Sequence, residues 1–133
     1  MMTVLLMADD DMIRSLRPLI HHGPHYRVIS HAASPSVALA QARVLLPDIV
    51  VIDTAVPGTP AELAAAFREL RSLDPPSGVI WHVSAEPALP SRLLEEAEGK
   101  VHTVRHGDEA ALRAALRTIG LRRASCDPDQ PAI

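Results

Sequence analysis

Four groups of residues in this chain have the types and spacing to do chemistry. The first is an unbroken acidic run, Asp9-Asp10-Asp11, directly after the apolar stretch Val4 to Ala8. Three adjacent carboxylates repel one another, so they suit a helix amino terminus or a shared cation. The second is Asp53, which follows the β-branched run Ile49 to Ile52 and precedes the turn pair Pro57-Gly58. A carboxylate in that place can be a nucleophile, a metal ligand or a helix cap. The third is a hydroxyl and a cation, Ser84 and Arg105, each closing a further apolar run. The fourth, His21-His22-Gly23-Pro24-His25, carries ligating side chains. There Gly-Pro breaks the segment and no Cys or carboxylate stands close by, so a loop is the preferred reading.

The elements that would position these residues are legible from pattern. Val4 to Ala8, Tyr26 to Ser30, Ile49 to Ile52, Val79 to Val83 and Val101 to Val104 are short apolar runs, read as strands. Helices are expected between them. One starts near Met12 and carries Pro18, which should kink or shorten it. Another opens at Ser34-Pro35 and ends before Pro47. A third opens on the capping box Thr59-Pro60-Ala61-Glu62. A short fourth covers 91–98, and a fifth, capped by Asp108, carries Leu112, Ala115 and Ile119 and ends at Gly120. Five strands alternating with five helices require a parallel sheet with right-handed crossovers and helices on both faces. In such sheets ligands gather at the carboxyl ends of the strands. Asp9, Asp10, Asp53, Ser84 and Arg105 all fall there.

Bulk properties bound the function classes. The 133 residues suit one domain, read as 1–120 with a tail or linker start over 121–133. Aromatic residues are only 2% of the chain, so its core must be aliphatic. A formal charge of −3 points to neither nucleic acid nor a membrane surface. The single cysteine, Cys126, cannot form an internal disulfide, which fits a cytoplasmic location. No apolar run approaches the length of a membrane span.

Taken together, Asp9-Asp10, the segment Pro47-Asp48-Ile49-Val50-Val51-Ile52-Asp53 with Pro57-Gly58, Ser84-Ala85 and Asp108-Glu109-Ala110-Ala111-Leu112 resemble the receiver domain of two-component response regulators. The match runs from Val4 to about Leu121. The resemblance implies a flavodoxin-like, doubly wound five-stranded parallel sheet of order 2-1-3-4-5. It implies that Asp53 accepts a phosphoryl group from a sensor histidine kinase. Mg²⁺ would be held by Asp9, Asp10, Asp53 and the backbone carbonyl of Ala55. Ser84 would contact the phosphoryl group and act with His102, at the usual switch-aromatic position, as the switch. The output would run through the last helix–strand–helix face, by homodimerisation or through a C-terminal DNA-binding effector outside this chain. No enzyme activity beyond self-phosphorylation and self-dephosphorylation of Asp53 is implied.

The family's pattern breaks at several points. Its lysine is missing: Lys100, the only lysine, precedes the last strand, and Arg105 takes the lysine position with His106 where a proline is usual. Arginine keeps the charge but is a longer, planar fork. The interval from Asp9 to Arg14 is one residue short, so the metal pair is Asp9 with Asp10, or Asp9 alone. Thr59-Pro60-Ala61 replaces the usual turn. These departures favour an alternative, a degenerate receiver acting as a phosphorylation-independent interaction module. A phosphohydrolase using an aspartate after a central strand needs a second acid two residues on, and Ala55 stands there.

Overall fold

The computed structural model describes residues 1–21, 25–56, 59–83 and 101–125. The described elements are β1 (Met2–Met7), α1 (Asp10–Ile20), β2 (Tyr26–Ala32), α2 (Pro35–Leu45), β3 (Ile49–Asp53), α3 (Pro60–Ser72), β4 (Gly78–Val83), β5 (Val101–Arg105) and α4 (Glu109–Ser125). The strands form one sheet in the order β2-β1-β3-β4-β5, and every neighbouring pair is parallel. The parallel sheet is what the alternation of elements requires, and its order is the flavodoxin-like one that the family resemblance implies.

Strand periodicity divides the core in two. Leu5, Met7, Val50, Ile52, Val79 and Trp81 pack against Ala38 and Ala42 of α2 and Leu63, Phe67 and Leu70 of α3. Val4, Leu6, Ile49, Val51, Ile80 and Val104 pack against Ile13, Leu16 and Ile20 of α1 and Leu112, Leu116 and Ile119 of α4. Successive strand residues face opposite sides, so a strand covered on both faces must be apolar throughout. The burial of all of β3 and β4 shows this directly.

The amino-terminal rim of the sheet is tied by polar groups that find partners. Thr3 donates its backbone N–H (2.8 Å) and its hydroxyl (3.1 Å) to Asp48 Oδ2. The fully buried Ser77 donates its hydroxyl to the Pro47 carbonyl at 2.8 Å, and Gly78 N–H donates to the Asp48 carbonyl at 2.9 Å. Gly78 is required here for space: a Cβ on it would come within 2.4 Å of Ile119 Cγ2.

Two helix boundaries differ from expectation. Helix α1 starts at Asp10 because Asp9 caps it, and it runs through Pro18 to Ile20. Helix α4 continues past Gly120 to Ser125. Gly120 lies against Tyr26 and Met2, where an added Cβ would make only ordinary contacts. Four helices occur among the described residues; the expected helix over 91–98 lies outside them. So do Ser84, the Pro57-Gly58 turn, His22 to Pro24, Lys100 and the segment from Cys126 onward. Among the described residues no helix is long and apolar enough to cross a membrane.

Candidate functional site

Asp53 closes β3, and its partner across the ladder is His82 of β4. Alternation puts residues 49, 51 and 53 on the face covered by α1 and α4, together with 80 and 82. Val104 of β5 lies on that face as well, and His106 follows two residues later, one pleat nearer the carboxyl rim. Between them the chain turns. Asp108 N–H donates to the Arg105 carbonyl at 3.1 Å, and Gly107 takes φ +86°, as the third residue of a type II turn must. His106 N–H donates to the Val83 carbonyl at 2.7 Å, fixing the turn to the end of β4. Asp108 then caps α4, its Oδ1 accepting from Ala111 N–H at 3.0 Å.

Three adjacent strands thereby deliver one carboxylate and two imidazoles to one point. Asp53 Oδ2 stands 3.7 Å from His82 Nδ1 and 3.4 Å from His106 Nε2. The two rings are stacked, with centroids 4.2 Å apart and planes inclined by 24°. The other carboxylate oxygen, Oδ1, accepts from Ala55 N–H at 2.9 Å. The Asp53 and His82 side chains are 3% and 5% exposed, whereas His106 keeps 28%. Both facing nitrogens are buried and lack a hydrogen-bond partner; at 3.7 Å the contact from His82 is an ion-pair separation, not a hydrogen bond. Burial pushes the Asp53 carboxyl up. The polar contact of His82, the Ala55 N–H and the charge available on His106 and His82 outweigh it, so the pKa lies below its ordinary value. Asp53 is therefore ionised at neutral pH.

The remaining expected residues are placed differently. Asp9 and Asp10 are exposed at the start of α1, where Asp9 Oδ1 accepts from Met12 N–H at 2.8 Å. Ala55 is exposed and lends its N–H to Asp53. Arg105, opposite Val83, is exposed; among the described residues the basic side chains within ion-pair distance of Asp53 are His82 and His106. His102, opposite Ile80, is half-buried, and burial together with the Arg122 charge lowers its pKa. His21, from the histidine-rich loop, accepts from Val28 N–H through Nε2 at 2.8 Å, a structural role.

Sequence reasoning missed His82, and noticed His106 only as the occupant of a proline position. The signal for His82 was a polar residue inside an otherwise apolar run. It gains meaning only when the β3–β4 register sets it beside Asp53. The donors gathered within 4.8 Å of one another are one carboxylate and two imidazoles, and neither Asp9 nor Asp10 is among them. Mg²⁺ takes oxygen ligands and keeps its waters, so it does not suit this imidazole-rich trio, which is a different set from the all-oxygen ligands that the family resemblance implies.

The comparisons with known proteins agree with the architecture. A two-component response regulator of the LuxR family from Aurantimonas sp. SI85-9A1 is 27% identical at a TM-score of 0.71, over 89% of this chain and 84% of that one. A candidate pilus assembly protein from Burkholderia thailandensis E264 is 27% identical at 0.72, over 91% and 99%. The signal receiver domain of a modulated diguanylate cyclase from Desulfovibrio desulfuricans G20, at 16% identity and a TM-score of 0.72 over 96% and 99%, supports the fold alone. No family model matches the sequence, and no curated protein matches it. The fold is that of the signal receiver domain of response regulators, here with an imidazole-rich site at its carboxyl rim.

Proposed function

We propose that this chain is a response-regulator receiver in signal transduction and that Asp53 accepts a phosphoryl group from a sensor histidine kinase. The observation that carries the reading is the state of Asp53. It is ionised at the end of the central strand, with one oxygen held by Ala55 N–H and the other, Oδ2, facing the His82 and His106 imidazoles. In the transfer, Oδ2 attacks phosphorus, the P–N bond of the donor phosphohistidine breaks, and the leaving imidazole takes up a proton. Such transfers depend on positioning and charge neutralisation more than on covalent help. His106 and His82 are the neighbours placed to offset the added charge, in the role the resemblance gives to a lysine. No step is assigned to Mg²⁺. The added phosphate brings about −1.5 to −2 charges near pH 7, which would bias the β5–α4 edge toward a homodimer or an attached effector.

Incubation with acetyl phosphate tests the reading. The wild-type chain should gain the mass of one phosphoryl group, and Asp53→Asn should gain none. Equal labelling of both would remove Asp53 from the role.

One observation favours a second reading, a phosphorylation-independent interaction module. The Asp53 side chain is only 3% exposed, with two imidazoles against Oδ2. On that reading the wild-type chain stays unlabelled, and Asp53→Asn binds the downstream partner as tightly as wild type.

A further inference from the structure

The two histidine nitrogens facing Asp53 have no hydrogen-bond partner although both are buried. Buried polar atoms in folded proteins are nearly always satisfied, so an orphan aimed at a common point asks for an explanation. Here two orphans converge on Asp53 Oδ2, while Oδ1 takes the Ala55 N–H. We propose that Asp53 Oδ2, His82 Nδ1 and His106 Nε2 form a binding site for a divalent transition metal of the zinc class.

The geometry fits that ion. In a tetrahedral site with bonds of about 2.0–2.1 Å, neighbouring ligand atoms lie roughly 3.3–3.5 Å apart. The two nitrogen–oxygen separations are 3.4 and 3.7 Å, and all three atoms lie within 4.8 Å of one another. Small rotations of the imidazoles close the remaining gap. The chemistry fits as well: imidazole with a single carboxylate suits zinc, copper or nickel, whereas magnesium and calcium prefer oxygen alone. The second sphere is in place, because Ala55 N–H on Oδ1 fixes the carboxylate and turns Oδ2 inward. The turn held by Gly107 fixes His106. His106 is also the partly exposed member of the trio, at 28%, which gives an ion a way in. Three protein ligands leave a coordination position for water or a partner's donor, as in open zinc sites.

The site does not need Asp53 to be a phosphoacceptor. Where that reading also holds, metal and phosphoryl group compete for the same oxygen, and bound zinc keeps the receiver unphosphorylated.

Untagged, metal-stripped full-length chain titrated with Co²⁺ tests the proposal. One equivalent should produce the intense visible absorption of a four-coordinate ion, and one equivalent of Zn²⁺ should erase it. His106→Asn, at the exposed edge of the trio, should weaken binding by more than the roughly 10–100-fold typical of losing an outer-sphere partner. His82→Asn should do the same if it folds; circular dichroism decides that, and His106→Asn carries the test if it does not. His25→Ala, outside the trio, should bind like wild type. A spectrum of hexaaqua cobalt at saturation, or full-strength binding in folded His106→Asn, overturns the proposal. The cobalt spectrum reads the metal and the intact mass reads the phosphoryl group, so failure of one reading is distinguishable from failure of the other.

Discussion

The two rims of the sheet are built from the same strands and treat polar groups in opposite ways. At the amino-terminal rim, Asp48, Ser77 and Thr3 are matched by donors and acceptors at ordinary distances. At the carboxyl-terminal rim, five residues further along β3 and β4, Asp53 meets His82 and His106 with their facing nitrogens unsatisfied. One rim uses polar chemistry to hold strands together. The other holds polar atoms in readiness for something that is not part of the chain. Buried groups left unsatisfied cost stability, and a fold tolerates that cost where activity needs it.

That contrast can be broken by substitution. The largest effect is expected at the amino-terminal rim. Asp48→Ala removes a charged acceptor from two Thr3 donors and should cost about 1.5–3 kcal/mol in urea melts. Gly107→Ala comes next. Its φ of +86° penalises a side chain by about 1–2 kcal/mol, and the displaced turn should also carry His106 away and weaken metal binding. Third is His82→Leu in the metal-free chain. It removes an unsatisfied buried nitrogen while keeping volume, which favours the variant, but it also takes away one of the contacts that hold Asp53 ionised. His106 remains against the same oxygen, so the two effects offset each other in part. The stability change should stay within about 1 kcal/mol; a loss as large as that of Asp48→Ala would erase the distinction between the rims.

The smallest effect concerns His102. Its pKa is lowered in the folded chain by burial and by Arg122, so the unfolded chain binds the proton more readily. Stability should therefore be full above the ordinary histidine pKa of about 6.5 and fall as pH drops below it. In His102→Phe that part of the decline should vanish, as pH-dependent melts of the two chains would show. An unchanged profile would remove His102 from the account.

Much of this fold is visible in the residues. The apolar runs of β1, β3 and β4 are continuous because both faces of those strands are covered, and Asp53 stands out as the acid that ends such a run. What pattern could not supply is register. His82 reads as a minor blemish in a strand until β3 and β4 are aligned, and His106 reads as a substitution until the turn at Gly107 aims it. Of the two roles that the acidic run at Asp9 suits, a helix amino terminus and a shared cation, the structure shows the first, with Asp9 capping α1. The helix runs past Gly120 to Ser125 because a lone glycine costs only about 1 kcal/mol in a helix and is a weak stop signal by itself.

Anomalous diffraction at the zinc edge from crystals of the zinc-loaded chain tests the central claim most directly. The account predicts one peak on the carboxyl rim, bonded at about 2.0–2.2 Å to Asp53 Oδ2, His82 Nδ1 and His106 Nε2. A peak on Asp9 and Asp10, or on His21 and His25, with the Asp53 trio still empty, would contradict it.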